Sequence, residues 1–348
     1  MLCSFTALDE YFDAGKAPLK FQYFNGELIE LASVTEDLEY PSLPYADAVL
    51  NKNNSRILYQ CLNGSSFPGH RQLGLLYSPE KRFFDGKNGV YESLRQTDLE
   101  PLSAPPELLV FESAVLCARY AYTAKAENYG INMDSLSADY QRDLLELILS
   151  SAHPEKGFEF LLKCGFLERF WPELAELASV VHTKDYHPEG DAWRHTMETF
   201  SYRKNRDIRL SIGLLLHDIG KAAALPSGNR RFDRHSELGE KAARKFLGRL
   251  AYSGKEIDDI AFLVRYHMLP AALPRIAPSN ISHILFNPLF PELLELYRCD
   301  ELSTYRGPDA YYEACAAYKT FLKHSKNPYR NMNGKTRGAY STYEAGSL

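Results

Sequence analysis

The chain has no run of apolar residues approaching the ~18 that a helical membrane span needs, and its mean hydropathy of −0.35 agrees. A protein built on membrane-spanning helices is therefore not expected. Paired cysteines are also missing: six stand at positions 3, 61, 117, 164, 299 and 315, with no Cys-x-x-Cys among them. That argues against a zinc-ribbon cage and against a disulfide-dense secreted scaffold. Nor is there an excess of positive charge, with 40 Lys and Arg against 45 Asp and Glu for a net charge of −5. A whole-molecule basic field for nucleic acid is excluded, and only local basic patches stay open. The first twenty residues carry Asp9, Glu10 and Asp13 and no basic start followed by an apolar block, so no secretory signal is expected. No repeat with a fixed period is found. What is present is 348 residues, 45% hydrophobic and 24% charged. These values predict a globular cytoplasmic protein of one large or two smaller domains.

Residues 1–105 read as a mixed α/β or β-rich region. Leu19 to Phe24 alternates before the turn Asn25-Gly26, and Glu27 to Leu31 follows, which predicts a hairpin. A second hairpin pairs Leu73–Tyr77 with Arg82–Phe84, while Tyr40–Pro44 and Asn51–Ser55 read as loops. After Leu102-Ser103-Ala104-Pro105-Pro106 the pattern becomes helical. Helices are predicted over 107–127, 137–150, 155–168, 191–204, 207–219, 236–250, 255–268, 290–303 and 308–323. Ser253 and Glu256 form a capping box for one of them, and Asp207 is a natural N-cap with Gly220 as the stop. The fold class is thus mainly α: a helical neck over 106–180, a helical bundle over 181–323 and a polar tail over 324–348.

Histidine placement carries the chemistry. Six of ten histidines fall between positions 182 and 267, and in their midst stands Leu214-Leu215-Leu216-His217-Asp218-Ile219-Gly220-Lys221. A carboxylate at the end of so apolar a helix costs several kcal/mol to bury without a cationic partner. Neutral imidazole and carboxylate together suit a divalent metal such as Zn, Mn, Fe or Ni. His267 shares a helical face with Ile260 and Val264, and Asp300 aligns with Leu293, Leu296 and Tyr297. His195 adds a further inward group. Each has an ordinary explanation when taken alone. A lone buried His is commonly satisfied by a carbonyl, and Arg298 or Arg265 could serve Asp300. The conjunction is harder to explain as separate accidents. His70, His153, His182, His187, His283 and His324 show no such register and read as surface or loop residues.

The set His195…His217-Asp218…Asp300 resembles the HD superfamily of metal-dependent phosphohydrolases, whose helical bundle holds metal between helices. The string Tyr186-His187-Pro188-Glu189-Gly190-Asp191-Ala192-Trp193-Arg194-His195-Thr196 resembles the opening of the HD domain attached to bacterial tRNA nucleotidyltransferases (CCA-adding enzymes) and their poly(A)-polymerase-like relatives. Phe84 to Tyr91 and Phe170-Trp171-Pro172-Glu173-Leu174 resemble a worn neck and body of that family. The resemblance implies His195, His217, Asp218 and Asp300 as ligands of one ion (Mn, Ni, Mg, Fe or Zn). It places His235 and His267 where other HD enzymes bind a second metal or the substrate phosphate. Asp218 would then bridge two ions. Met268 stands where some two-metal relatives carry another His. Asp218, Lys221 and His235 are the expected catalytic groups, with Lys221 neutralising a phosphate oxygen. Arg230, Arg231 and Arg234 suit bidentate phosphate binding at the rim.

The chain departs from that family at the nucleotidyl-transfer head, which needs a Gly-Gly or Gly-Ser turn followed by paired carboxylates for Mg²⁺. Gly64-Ser65 is followed by no carboxylate before Glu80, and Asp37-Leu38-Glu39 has no suitable turn ahead of it. Nucleotidyl transfer is expected to be lost or never to have resided in this chain. Finally, Lys319 to Arg337 holds six basic and no acidic residues, with Phe321 and Tyr329 interleaved, a composition that suits single-stranded RNA as well as a flexible tail. The first expectation is a phosphohydrolase acting on phosphomonoesters, 2′,3′-cyclic phosphates or phosphodiesters of nucleotides or RNA ends. The alternatives are an RNA- or tRNA-binding module with a structural HD site, or a protein related to tRNA nucleotidyltransferases that partners a separate catalytic head.

Overall fold

The computed structural model describes short strands between Tyr23 and Leu99, then residues 106–335 apart from 127–134, 181–189, 225–233, 305–306 and 328. Among the described residues the protein is mainly helical, as expected, with strands confined to the N-terminal third and one residue pair near 123. The chain forms two compact units, residues 1–137 with 151–166, and residues 138–150 with 167–348. The segment 106–180 contributes to both.

In the first unit β1 (Tyr23–Phe24) and β2 (Glu27–Leu28) form the predicted antiparallel hairpin. β3 (Leu31–Val34) runs parallel to β5 (Arg56–Gln60), which pairs on its other side with β4 (Val49–Asn51). Asn51, read as loop, is thereby drawn into a strand; the rest of that predicted loop and Tyr40–Pro44 lie outside the described residues. β6 (Leu75–Ser78) and β7 (Phe83–Gly86) make the second hairpin, shifted slightly toward the C-terminus of its predicted position. β8 (Asp98–Leu99) lies parallel to β9 (Thr123–Ala124). The helix expected over 107–127 is α1 (Pro106–Tyr120) and stops early. Ala121 adopts a left-handed backbone with φ 57°, and Thr123–Ala124 then pairs as β9. α1 packs against α3 (Pro154–Lys163).

The second unit opens with α2 (Ala138–Leu149). Where the pattern predicts one helix over 155–168 the structure has two, α3 and α4 (Phe166–Phe170). Gly165 at φ 80° closes the first, a conformation that a side chain disfavours. After α5 (Pro172–Ala175) come α6 (Ala192–Thr199), α7 (Ile208–Leu216), α8 (His235–Arg249) and α9 (Gly254–Tyr266). Then follow α10 (Leu269–Ala272), α11 (Ser282–Leu285), α12 (Phe290–Leu302) and α13 (Asp309–Ser325). The predicted 191–204 helix gives way after Thr199 to a single 3₁₀ turn over Phe200–Tyr202.

α7 is the hub. Its residues from Leu210 to Leu216 are all buried, and it packs against α2, α6, α9 and α12. A helix this apolar has no solvent face and is stable only inside a bundle. Its start is secured by Asp207, whose carboxylate accepts from Leu210 N at 3.0 Å. Arg209 binds Glu292 on α12 through Nε and Nη2 (2.9 and 2.6 Å) and also meets Asp259 on α9 at 3.3 Å. α9 carries the predicted capping box, with Ser253 N donating to Glu256 at 2.7 Å. Trp171 meets Phe246 edge-on and donates to Gln141 at 2.9 Å, joining α2 and α8.

Candidate metal centre

Each candidate ligand arrives on a different part of this bundle. Asp191 N-caps α6, its carboxylate accepting from Arg194 N at 2.8 Å, and that start turns His195 inward one turn later. His217 and Asp218 follow directly on α7, whose burial carries them into the interior. His267 ends α9, His235 opens α8, and Asp300 stands near the end of α12. His195, His217, Asp218 and His267 are almost fully buried. Asp300, His235 and Lys221 are slightly open and form the rim.

The side chains form two triads: His195, His217 and Asp300, and Asp218, His235 and His267. In the first, His195 Nε2 lies 2.9 Å from Asp300 Oδ1 and 3.4 Å from His217 Nε2. In the second, His235 Nε2 lies 3.1 Å from His267 Nε2. Asp218 joins them. Its Oδ2 is 3.2 Å from His217 Nε2 and its Oδ1 is 3.7 Å from His235 and 3.8 Å from His267. Lys221 Nζ stands 2.5 Å from the same Oδ2. Around an ion with bonds of roughly 2.0–2.1 Å, ligands at right angles stand about 3 Å apart, which matches the closer pairs.

The proton positions implied by the surroundings sharpen this fit. His217 Nδ1 and His267 Nδ1 lie 2.7 and 2.8 Å from the carbonyls of Leu214 and Val264. A carbonyl only accepts, so Nδ1 carries the proton and, in the neutral ring, Nε2 presents a lone pair to the cluster. Ser303 does the same for His195: its hydroxyl donates to Asp300 O at 2.6 Å and faces His195 Nδ1 at 3.2 Å. The meeting of His195 Nε2 with a carboxylate then requires a positive centre, either a second ring proton or a cation. Lone pairs of nitrogen and oxygen converging in a buried space are the donor set of a divalent ion.

Electrostatics agree. Burial by itself would raise Asp218, but the Lys221 ammonium and His217 beside it hold its pKa well below the usual carboxylate range. Burial likewise opposes ionisation of Asp300 and is overcome by the His195 hydrogen bond and by His217. Burial and the neighbouring His217 push His267 down to about 3, leaving a neutral imidazole at physiological pH. Charged carboxylates and neutral imidazole are the states that bind metal. The competing explanation for Asp300 does not hold, because Arg298 binds Glu295 and the Tyr202 carbonyl while Arg265 pairs with Glu237 and Glu240.

All six expected ligands are therefore brought together, and Lys221 with them. The arginines are not: Arg234 is exposed and turned to Glu237 at 3.4 Å, and Arg230 and Arg231 lie outside the described residues. His70, His182 and His187 do as well, along with Gly64-Ser65 and Asp37-Leu38-Glu39. His153 precedes α3, in the first unit, and lies 3.6 Å from Glu155. Met268 follows His267 and is about half exposed. Ser303 is the residue that sequence reading missed. Its one signal is the i, i+3 spacing from Asp300, which puts it on the same turn. Ser303→Ala is expected to lower metal affinity about 10- to 100-fold, the usual cost of losing a group that orients a ligand. Isothermal titration of the metal-stripped protein with Mn²⁺ measures it, and an unchanged affinity would show that His195 is oriented by packing alone.

Residues 194–304 match the HD domain family, and this part of the chain is an HD domain. Similar proteins include a multifunctional CCA protein of Neisseria gonorrhoeae, 28% identical over 200 residues, covering 54% of this chain and 48% of that protein. Another, from Alkalilimnicola ehrlichii, is 36% identical over 148 residues, 42% of this chain and 34% of the relative. A bifunctional uridylyltransferase/uridylyl-removing enzyme of Ruegeria pomeroyi is 26% identical over 245 residues, 62% and 26% of the two chains. The chain thus spans half or less of the length of these relatives.

Proposed function

We propose that this protein is a metal-dependent phosphohydrolase that cleaves phosphomonoesters or 2′,3′-cyclic phosphodiesters on nucleotides or RNA ends. The observation that carries the reading is a single buried carboxylate, Asp218, with one oxygen toward each of two triads and Lys221 on the rim. Likeness to multifunctional CCA proteins and to a uridylyl-removing enzyme supports a substrate that bears a nucleotide.

His195, His217 and Asp300 would hold one divalent ion, with Asp218, His235 and His267 holding a second. A cation so held supplies Lewis acidity: it polarises a phosphoryl oxygen and brings the pKa of water toward ~7. The chain's own groups do the rest. Lys221 neutralises Asp218 in the resting site and is placed to transfer that charge to a phosphoryl oxygen. His235, at the rim, turns its Nε2 toward His267 and Asp218 and would act as the outermost donor to the second ion, so the proton for the departing oxygen comes from the attacking water. Buried His195, His217 and His267 keep bulk water from the inner face. In the net reaction water adds to phosphorus, one P–O ester bond breaks and the departing oxygen takes a proton.

The test is turnover of 2′,3′-cyclic AMP and p-nitrophenyl phosphate by protein loaded with Mn²⁺, Ni²⁺ or Mg²⁺. Hydrolysis that stops on chelation and returns with metal is expected. Protein that holds metal by elemental analysis yet turns over neither substrate would overturn the reading.

A further inference from the structure

The segment Lys319 to Lys335 joins a larger surface that the candidate metal centre does not use. The sequence contains no Asp or Glu from 260 to 291 and none from 314 to 343, although the whole chain is acidic. The fold brings these two stretches together. α10 and the 3₁₀ turn Leu273–Arg275 pack against α13, Phe286 meets Phe321 at 4.9 Å, and Ser279 N donates to Asn333 Oδ1 at 3.0 Å. Two acid-free stretches thus become one face.

Lys319 and Lys323 on α13, with Lys326 capping its end, follow at helical spacing and are exposed. Phe321 lies on the opposite side of the helix and is buried, so the stacking role its sequence position suggests belongs to other rings. Beyond the helix the chain does not trail away. Asn331 N donates to Lys335 O at 2.8 Å, Gly334 N donates to Asn331 O at 2.9 Å, and Arg330 donates to Gly334 O at 2.6 Å. This closed turn presents Tyr329, 77% exposed, and Met332 is also exposed, while Phe286 is 54% exposed against Phe321. Arg275, Arg330 and Lys335 extend the positive charge. Among the described residues none of these six cations has a carboxylate at ion-pair distance. The arginines of the bundle differ: Arg142, Arg209, Arg244, Arg249 and Arg298 are all paired with acids.

We infer that this face, Arg275 to Phe286 with Lys319 to Lys335, is a docking surface for single-stranded RNA. Unpaired cations track a phosphate backbone by releasing its counterions. Exposed Tyr329 and Phe286 offer rings on which bases of any identity stack. An acidic protein segment would use the cations but not the rings. The inference rests on the reading of RNA ends as substrates and extends it to a surface that holds the strand.

Fluorescence anisotropy of the full chain with a fluorescein-labelled oligouridylate 12-mer, titrated at several KCl concentrations, tests it. With about four phosphates neutralised, the slope of log K against log salt should be near −3, or about 50-fold weaker binding between 50 and 200 mM. Lys319→Glu/Lys323→Glu/Lys326→Glu should abolish binding without change in metal content. Tyr329→Ala should weaken it at least about fivefold while leaving the salt slope unchanged. This second variant decides the matter if the charge-reversed protein melts early. Unaltered affinity in both variants, or displacement of the RNA by polyglutamate at equal charge concentration, would overturn the inference. RNA binding without cyclic-nucleotide hydrolysis keeps the docking surface and removes the phosphohydrolase. Hydrolysis of mononucleotides without RNA binding does the reverse.

Discussion

Asp218→Asn is expected to leave the fold intact and to empty both halves of the metal centre. The amide matches the carboxylate in size but carries no charge, and the carboxylate is the one group with an oxygen toward each triad. Asp300→Asn should differ, because Asp300 belongs to the His195 and His217 triad; the Asp218, His235 and His267 donors remain. Elemental analysis after dialysis against limiting Mn²⁺ separates the two variants. Loss of hydrolysis in Asp218→Asn should exceed ~10²-fold, since the removal of a group that merely orients a ligand already costs 10- to 100-fold. Full metal content in Asp218→Asn would show that the histidines bind without it and would remove the argument for a shared carboxylate.

The second large effect is expected at Gly220. A Cβ there would stand 2.1 Å from His235 O and 2.4 Å from Gly239 N. Both contacts are with the backbone of α8, so no side chain can move aside. Gly220→Ala must push the start of α8 away, and His235 is its first residue. Overpacking of this kind costs about 1–3 kcal/mol. In a unit of this size each kcal/mol lowers the melting temperature by roughly 2–4 °C. The variant should therefore melt several degrees lower and bind metal less well. Gly254→Ala is the control, because a Cβ there meets nothing within 4 Å. Equal melting temperatures for the two variants would mean that α8 has more freedom than its packing implies.

Gly220 also marks the boundary of what sequence reading can reach. As a residue after an apolar helix it reads as a stop signal. The structure ends α7 at Leu216 and uses Gly220 for a close approach between two backbones. Nothing local encodes that approach, since the partner residues lie fifteen and nineteen positions away on the next helix. Ser303 is similar: an ordinary serine at a helix end, meaningful only because His195 arrives from 108 residues earlier. Phe321 shows the converse, an aromatic placed among lysines that looks available for stacking until the fold turns it into the core.

Whereas His235 was signalled only by the family resemblance, periodicity, capping and residue chemistry by themselves determined most of the helices, the capping box at Ser253, the N-cap at Asp207 and the gathering of His195, His217, Asp218, His267 and Asp300 as candidate ligands. Those signals are local or concern the burial of single side chains, and the cost of burying a charge makes them legible at any distance. Tertiary structure alone decided how the ligands divide into two triads around Asp218, which ring nitrogens carry protons and which acid-free stretches meet to form a single positive face. Each of these depends on distances between atoms far apart along the chain, and such distances exist only once the helices have packed.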